Sequence, residues 1–169
     1  AGPFVPEVVM EHPEVVTQLH REFIRAGSDV VQAFTYYGHR EKLRIIGKEH
    51  LLEPMQKGAL KIAKDAAAEF KDLDLMVCGD VANTNVFDPG DPNTHKQCQQ
   101  MYEEQIAWAK EAGVDFVIAE TISWTDEMKI ALKAIKEAGL IAVCNFAIPR
   151  GDKTREGHSA EDALSLIHI

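Results

Sequence analysis

Ala112-Gly113-Val114-Asp115-Phe116-Val117-Ile118-Ala119-Glu120-Thr121 is the stretch that decides the fold. A glycine closes the preceding segment, apolar residues follow without alternation, and a carboxylate ends the run. Such a run reads as a strand buried on both faces, here expected over residues 114–119. Periodicity alone leaves a buried helix segment open; the short length and the glycine boundary favour the strand. The pattern recurs where Ala26-Gly27-Ser28-Asp29 leads into residues 30–35, and where Ala138-Gly139 leads into residues 140–146. Leu75-Met76-Val77-Cys78-Gly79 supplies a further strand. A helix, a glycine cap and a buried strand therefore form one repeating unit. Polar or aromatic groups gather where each strand should end: Tyr36 and Tyr37, Asp80 and Asn83, Glu120 and Thr121, Asn145. In parallel α/β folds ligands bind at those carboxyl ends.

Outward from the strands, the helices follow from apolar spacing. Val15, Val16, Leu19, Phe23 and Ala26 mark a helix from His12 to Ala26 that ends at Gly27. Arg40 to Phe70 is long and charged, with Pro54 and Gly58 expected to break it and Leu60, Ala63, Ala66, Ala67 and Phe70 on one face. Asp88-Pro89-Gly90-Asp91-Pro92-Asn93 is the strongest loop signal. Asn93 or Thr94 should cap the next helix, whose core face reads Cys98, Met101, Tyr102, Ile106, Ala109. Thr125 with Asp126 and Glu127 opens another, with Met128, Ala131, Leu132, Ile135 and Ala138 inward. A polar loop from Pro149 to about Gly157 precedes a helix start at Ser159-Ala160-Glu161-Asp162. Four βα units behind a leading helix amount to half of an eight-fold barrel or most of a doubly wound sheet.

The 169 residues fit one domain, and 46% hydrophobic residues suffice for a real core. A net charge of -9 argues against nucleic acid or an anionic membrane surface as partner. No apolar run approaches the roughly 20 residues of a membrane helix, and no basic-then-apolar leader opens the chain. Cys78, Cys98 and Cys144 are widely spaced without a C-x-x-C, which reads as reduced thiols of a cytoplasmic protein. The chain opens on Ala1 and stops just after a helix start, so it reads as a piece of a longer protein, truncated at both ends. Ser165 to Ile169 resembles translated sequencing-adapter sequence.

Glu120 is the leading functional candidate. A carboxylate at the end of a buried strand is partly desolvated and needs a partner: an amine, an alcohol, a metal, or a basic residue of a neighbouring loop. Tyr36 and Tyr37, adjacent at a strand end, point in different directions, and an aromatic at such a mouth either packs as a rim residue or holds a quaternary ammonium. Phe4, between Pro3 and Pro6, either adds a wall or anchors the opening loop. The seven histidines are scattered with no H-E-x-x-H, and there is no G-x-G-x-x-G, Walker loop or G-x-S-x-G.

Three segments together resemble one family. Residues 1–28, with Ala1-Gly2-Pro3-Phe4-Val5-Pro6-Glu7 and Arg21-Glu22-Phe23-Ile24-Arg25-Ala26-Gly27-Ser28, are similar to the betaine–homocysteine S-methyltransferases. So are Val31-Gln32-Ala33-Phe34-Thr35-Tyr36-Tyr37 and the stretch from Val114 to Thr121, in the same order. The resemblance implies a (β/α)8 barrel, of which this chain holds the second to fifth strands. It implies transfer of a methyl group from betaine, or a related methylated amine donor, to the thiol of homocysteine, giving methionine. It also implies a zinc ion on three cysteines, which presents the thiolate. By the resemblance, Glu120 binds the homocysteine amino group, Tyr37 with Tyr36 beside it lines the donor site, Phe4 faces the donor's trimethylammonium, and Thr121 is counted among the substrate-binding residues. The betaine enzymes typically carry Trp at the position of Phe4, Phe at that of Tyr36 and often Tyr at that of Thr121, which leaves the donor open. The family's zinc cysteines lie beyond residue 169, and Cys78, Cys98 and Cys144 match none of them, so a piece with this sequence is expected to hold no metal and to be inactive alone. A homo-oligomer of the full-length protein fits the same reading. Two other readings compete: a non-catalytic truncated or degenerate fragment that at most binds a ligand or partner, and an unrelated barrel enzyme using Glu120 as acid or base.

Overall fold

Glycine sets the repeat. Gly113 has φ +69, a left-handed conformation that lets its N–H reach the Lys110 carbonyl and the next N–H, of Val114, reach that of Ala109. Gly27 and Gly139 turn the chain in the same way between a helix and a strand. The computed structural model describes residues 6–148 and 151–168. The elements are α1 (Val8–Glu11), α2 (Pro13–Arg25), β1 (Val30–Gln32), α3 (Arg40–Ile45), α4 (Leu52–Ala68), β2 (Met76–Ala82), α5 (Pro92–Ala112), β3 (Phe116–Ile122), α6 (Thr125–Glu137), β4 (Ile141–Phe146) and α7 (Ala160–Ile167). A 3-10 turn, Glu49–Leu51, joins α3 to α4.

The four strands form one parallel sheet in the order β1-β2-β3-β4. A doubly wound sheet reverses its strand order part-way and covers both faces. Here sequential order leaves the helices on one face, the winding of a barrel wall. On that face Val31, Val77, Val81, Val117 and Ala119 pack against Leu60, Tyr102, Ile106, Met128 and Ile135 in the main core. The opposite face carries Gln32, Met76, Cys78, Asp80, Phe116, Ile118, Glu120, Ile141 and Val143 in register across the strands. It is open: Met76, Ile141 and Val143 are exposed apolar residues. In a closed barrel this face is the interior.

Several sequence expectations shift. β2 runs to Ala82 and β3 to Ile122, so Asp80 and Glu120 lie within strands and not after them. β1 is short because Thr35 turns back, its N–H bonding the Ala33 carbonyl. Pro54 and Gly58 do not break α4. Pro54 sits in its first turn, where a missing N–H is harmless. Gly58 lets α1 approach, since a Cβ there would stand 3.3 Å from Val9 Cγ1. The break falls at Gly47, φ +68. Asp91, not Asn93 or Thr94, caps α5, accepting from the Asn93 N–H. On α2 the residues buried are Val16, His20 and Ile24, whereas Val15, Leu19 and Phe23 are exposed, Leu19 and Phe23 beside β1. The core faces of α5 and α6 are as expected, apart from Ala138, which is only partly buried. Ser159 and Asp162 form a reciprocal capping box on α7, and Ile167 joins the main core.

Candidate functional site

A bulge positions Glu120. Ala119 pairs with Cys144, but the next pair is Ile122 with Phe146, so β3 carries one more residue than β4 over this interval. The extra residue is absorbed at Thr121, whose φ is +55. A β-branched residue at that angle is an outlier and costs about 1–3 kcal/mol of strain. Its hydroxyl is fully used: Thr121 Oγ1 donates to the Glu120 carbonyl at 2.8 Å and lies 2.9 Å from Tyr36 Oη. With the threonine proton committed, the Tyr36 hydroxyl is the donor of the second bond. Tyr36 and Thr121 thus meet across the mouth, one from the end of β1 and one from β3.

Glu120 projects from the open face of β3, half-buried. Gln32 Nε2 reaches across from β1 and donates to Glu120 Oε1 at 2.9 Å. Between them on β2 lies Asp80, only 3% exposed. Among the described residues neither Asp80 oxygen receives a hydrogen bond. Burial, and after it the Glu120 carboxylate alongside, holds the Asp80 carboxyl well above the usual carboxylate range. A cavity of about 410 Å³ wraps the free edge of β1 and is lined by Leu19, Phe23, Val30, Gln32, Tyr36 and Glu120 among others.

The two tyrosines divide as their adjacency implied. Tyr36 faces the cavity with Glu120. Tyr37, φ +58, has its ring 4.2 Å from the Tyr36 ring centre, and the ammonium of the buried Lys42 stands 4.2 Å from its own centroid. His39 stands edge-on to Tyr37 and is held neutral, burial and then Lys42 pushing it down to about 4. Asn83 opens elsewhere, into a second cavity of about 260 Å³ with Asn85, Trp124 and Arg155. Phe4 lies outside the described residues.

The described residues do not fit a metal. Among those described, no three of His, Cys, Asp and Glu are grouped to hold one. Cys78 and Cys98 are buried, and burial pushes their thiols up to about 12 and about 11, while that of Cys144 is also raised. A thiolate ligand needs the opposite shift.

The sequence singled out Glu120, Thr121, Tyr36 and Tyr37, and the structure brings the first three together. It missed Gln32, Lys42 and the part taken by Asp80. The available signals were a glutamine breaking an apolar strand and an aspartate inside one.

A model of the homocysteine S-methyltransferase family matches residues 4–169. Betaine–homocysteine S-methyltransferase 1 of Bos taurus is 34% identical over 157 residues, covering 90% of this chain and 37% of that protein. The corresponding protein of Sus scrofa is 34% identical over 157 residues, covering 90% of this chain and 55% of the relative. The chain therefore spans much less than the full length of these relatives. The metallated homocysteine methyltransferase MmuM of Escherichia coli has the same fold, with a TM-score of 0.80 at 17% identity over 95% of this chain and 61% of that one. The four βα units are accordingly part of a TIM barrel.

Proposed function

The chain belongs to the homocysteine S-methyltransferase family, and from that premise we propose that it forms the substrate-binding part of an enzyme that moves a methyl group from betaine, or a related methylated donor, to the thiol of homocysteine. The observation that carries this is the Glu120 carboxylate, held on the open face by Gln32 and facing a cavity walled by Tyr36. In this reading Glu120 accepts the N–H groups of the homocysteine ammonium. Tyr36, fixed by Thr121, is the aromatic wall against which the donor's methylated cation rests, since a ring face attracts such a charge. Tyr37 backs that wall, and Phe4 belongs to the same donor site. Phe4, Tyr36 and Thr121 are the positions at which the resemblance marks a departure from the betaine enzymes, and Tyr36 and Thr121 are hydrogen-bonded to each other.

Attack on the donor methyl group requires the homocysteine thiolate, and the resemblance implies zinc as the group that supplies it. None of the residues described here provides its ligands. The part of this chain is to bind and orient. Methionine as product, a cytoplasmic location and a homo-oligomeric full-length protein complete the reading; none of the described helices is long and apolar enough to cross a membrane.

The test is methionine formation by the full-length, zinc-supplied protein from homocysteine with betaine and with other methylated onium donors. Glu120→Gln removes the charge facing the ammonium, a loss worth about 2–5 kcal/mol for a buried pair, so kcat/KM for homocysteine should fall at least about thirtyfold. Unchanged homocysteine kinetics in this variant would refute the assignment.

A further inference from the structure

Asp80 is the buried group to which the reading above gives no task. It pairs with Ile118, two residue pairs before Glu120 along the sheet, and so lies on the same open face. Its two oxygens have no donor among the described residues, yet it is 3% exposed. An ionised carboxylate in that position would stand uncompensated, at a cost of several kcal/mol. The ionisable neighbour on that face is Glu120, the next inward position on the adjacent strand, and after burial its charge raises the Asp80 carboxyl further. Two carboxyl groups hydrogen-bond only by holding a proton between them.

We infer that Asp80 is a positioning residue of the amine site: it holds a proton against Glu120, fixes that carboxylate together with Gln32, and releases the proton when a primary ammonium docks. The inference rests on the reading of Glu120 as the ammonium acceptor. With one shared proton the empty pair carries a single negative charge. Docking brings a positive charge next to Asp80, the cost of a second carboxylate falls, and the proton passes to solvent. The site then selects a cation with N–H donors, the α-ammonium of an amino acid, over a quaternary ammonium, which has none to offer.

The surroundings leave this proton to the pair. β3 presents Glu120, and β1 presents neutral Gln32. From the turn after β1, Thr35 Oγ1 donates to the Asp80 main-chain carbonyl at 3.1 Å, and the Tyr36 phenol is engaged by Thr121. On β2 itself the Cys78 thiol, pushed up to about 12 by burial and then by Asp80 and Glu120, keeps its proton through the neutral range.

The experiment is calorimetric binding of L-methionine, which has no titrating thiol, to the full-length zinc-loaded protein in buffers of differing ionisation enthalpy. Wild type should release protons on binding, and its affinity should rise with pH by up to about tenfold per unit. Asp80→Asn should bind within a few-fold of wild type but without proton release and with a flat pH profile, because its amide N–H replaces the shared proton. Asp80→Ala, which leaves Glu120 held by Gln32 alone, should bind about tenfold or more weakly. Wild-type binding without proton release, or the same release in Asp80→Asn, overturns the inference. Glu120→Gln separates the two readings. If it binds methionine like wild type, the amine assignment itself fails. If it loses binding while Asp80→Asn keeps wild-type release, only the part given to Asp80 falls.

Discussion

Removing the Glu127 carboxylate should loosen the scaffold beneath the site. Glu127 is 2% exposed, and one of its oxygens, Oε1, accepts three hydrogen bonds: from the Thr84 N–H at 2.7 Å, from Thr84 Oγ1 at 2.6 Å and from Tyr102 Oη at 3.1 Å. It thereby ties the segment after β2 and the middle of α5 to the first turn of α6. Sequence alone suggested a different part for this residue, an acid favouring the helix dipole. In Glu127→Ala the Thr84 hydroxyl can turn to Cys98 Sγ, 3.1 Å away, but the Thr84 N–H and the Tyr102 hydroxyl are stranded. Each stranded donor costs about 1–3 kcal/mol. Against this, the variant is relieved of a buried carboxylate whose pKa burial has raised. The net expectation is a loss of about 3 kcal/mol. Glu127→Gln should lose less than about 1 kcal/mol, because all three bonds meet one oxygen and an amide can place its carbonyl there. Urea unfolding of the full-length protein, read by fluorescence and circular dichroism, gives both numbers. If Glu127→Gln costs as much as Glu127→Ala, charge and not acceptor geometry holds this junction. If Glu127→Ala costs less than about 0.5 kcal/mol, the network is not structural at all.

Three further outcomes are expected. Gly79→Ala places a Cβ 3.0 Å from Ala109 Cβ and 3.4 Å from Val117 Cγ2, so it should push α5 off β2 and destabilise by about 1–3 kcal/mol in the same unfolding assay. Gly113→Ala meets no atom within 4 Å but must adopt φ +69, and should cost about 1–2 kcal/mol through backbone strain alone. The third concerns pH. The folded-state pKa of Asp80 is raised, so the native protein holds this proton more firmly than the unfolded chain. Stability from this group is therefore lost as pH rises through the interval between the unfolded and folded values. Asp80→Asn should unfold at higher urea than wild type at neutral pH, with the gap closing as pH falls toward about 4, the unfolded carboxyl value. A gap that widens toward acid would refute the sign.

The parts of this fold that were legible in the sequence are those governed by local chemistry. Gly27, Gly113 and Gly139 mark helix ends because a left-handed residue is needed there, and Cys98, Met101, Tyr102, Ile106 and Ala109 mark a buried face because the helix turns at their spacing. The same spacing rule located α2, which runs Pro13–Arg25, but did not tell which of its apolar residues are buried. Val15, Leu19 and Phe23 form an apolar stripe that stays exposed, and Leu19 and Phe23 line the cavity beside β1. Spacing shows that a face is apolar; what stands opposite it is decided elsewhere in the chain.

The site shows the same division more sharply. Glu120 is conspicuous because a charge follows an apolar run. That it lies inside β3 depends on the bulge, and nothing about a threonine announces φ +55; its β-branch argues against it. Gln32, Asp80 and Glu120 come together because parallel pairing sets Gln32 against Cys78 and Ala82 against Glu120, a register no single strand encodes. The non-glycine residues with positive φ, Tyr37, Asn85 and Thr121, all follow or end strands at the same end of the sheet, and each is held by side chains that converge there. Thr121 is bound to Tyr36, Asn85 to Asn83, and Tyr37 is flanked by Tyr36 and Lys42. Strain of about 1–3 kcal/mol at such positions persists only where the surroundings over-determine it. Its confinement, among the described residues, to the carboxyl ends of β1, β2 and β3 is what the sheet would show if that rim were shaped for a ligand and the rest for stability.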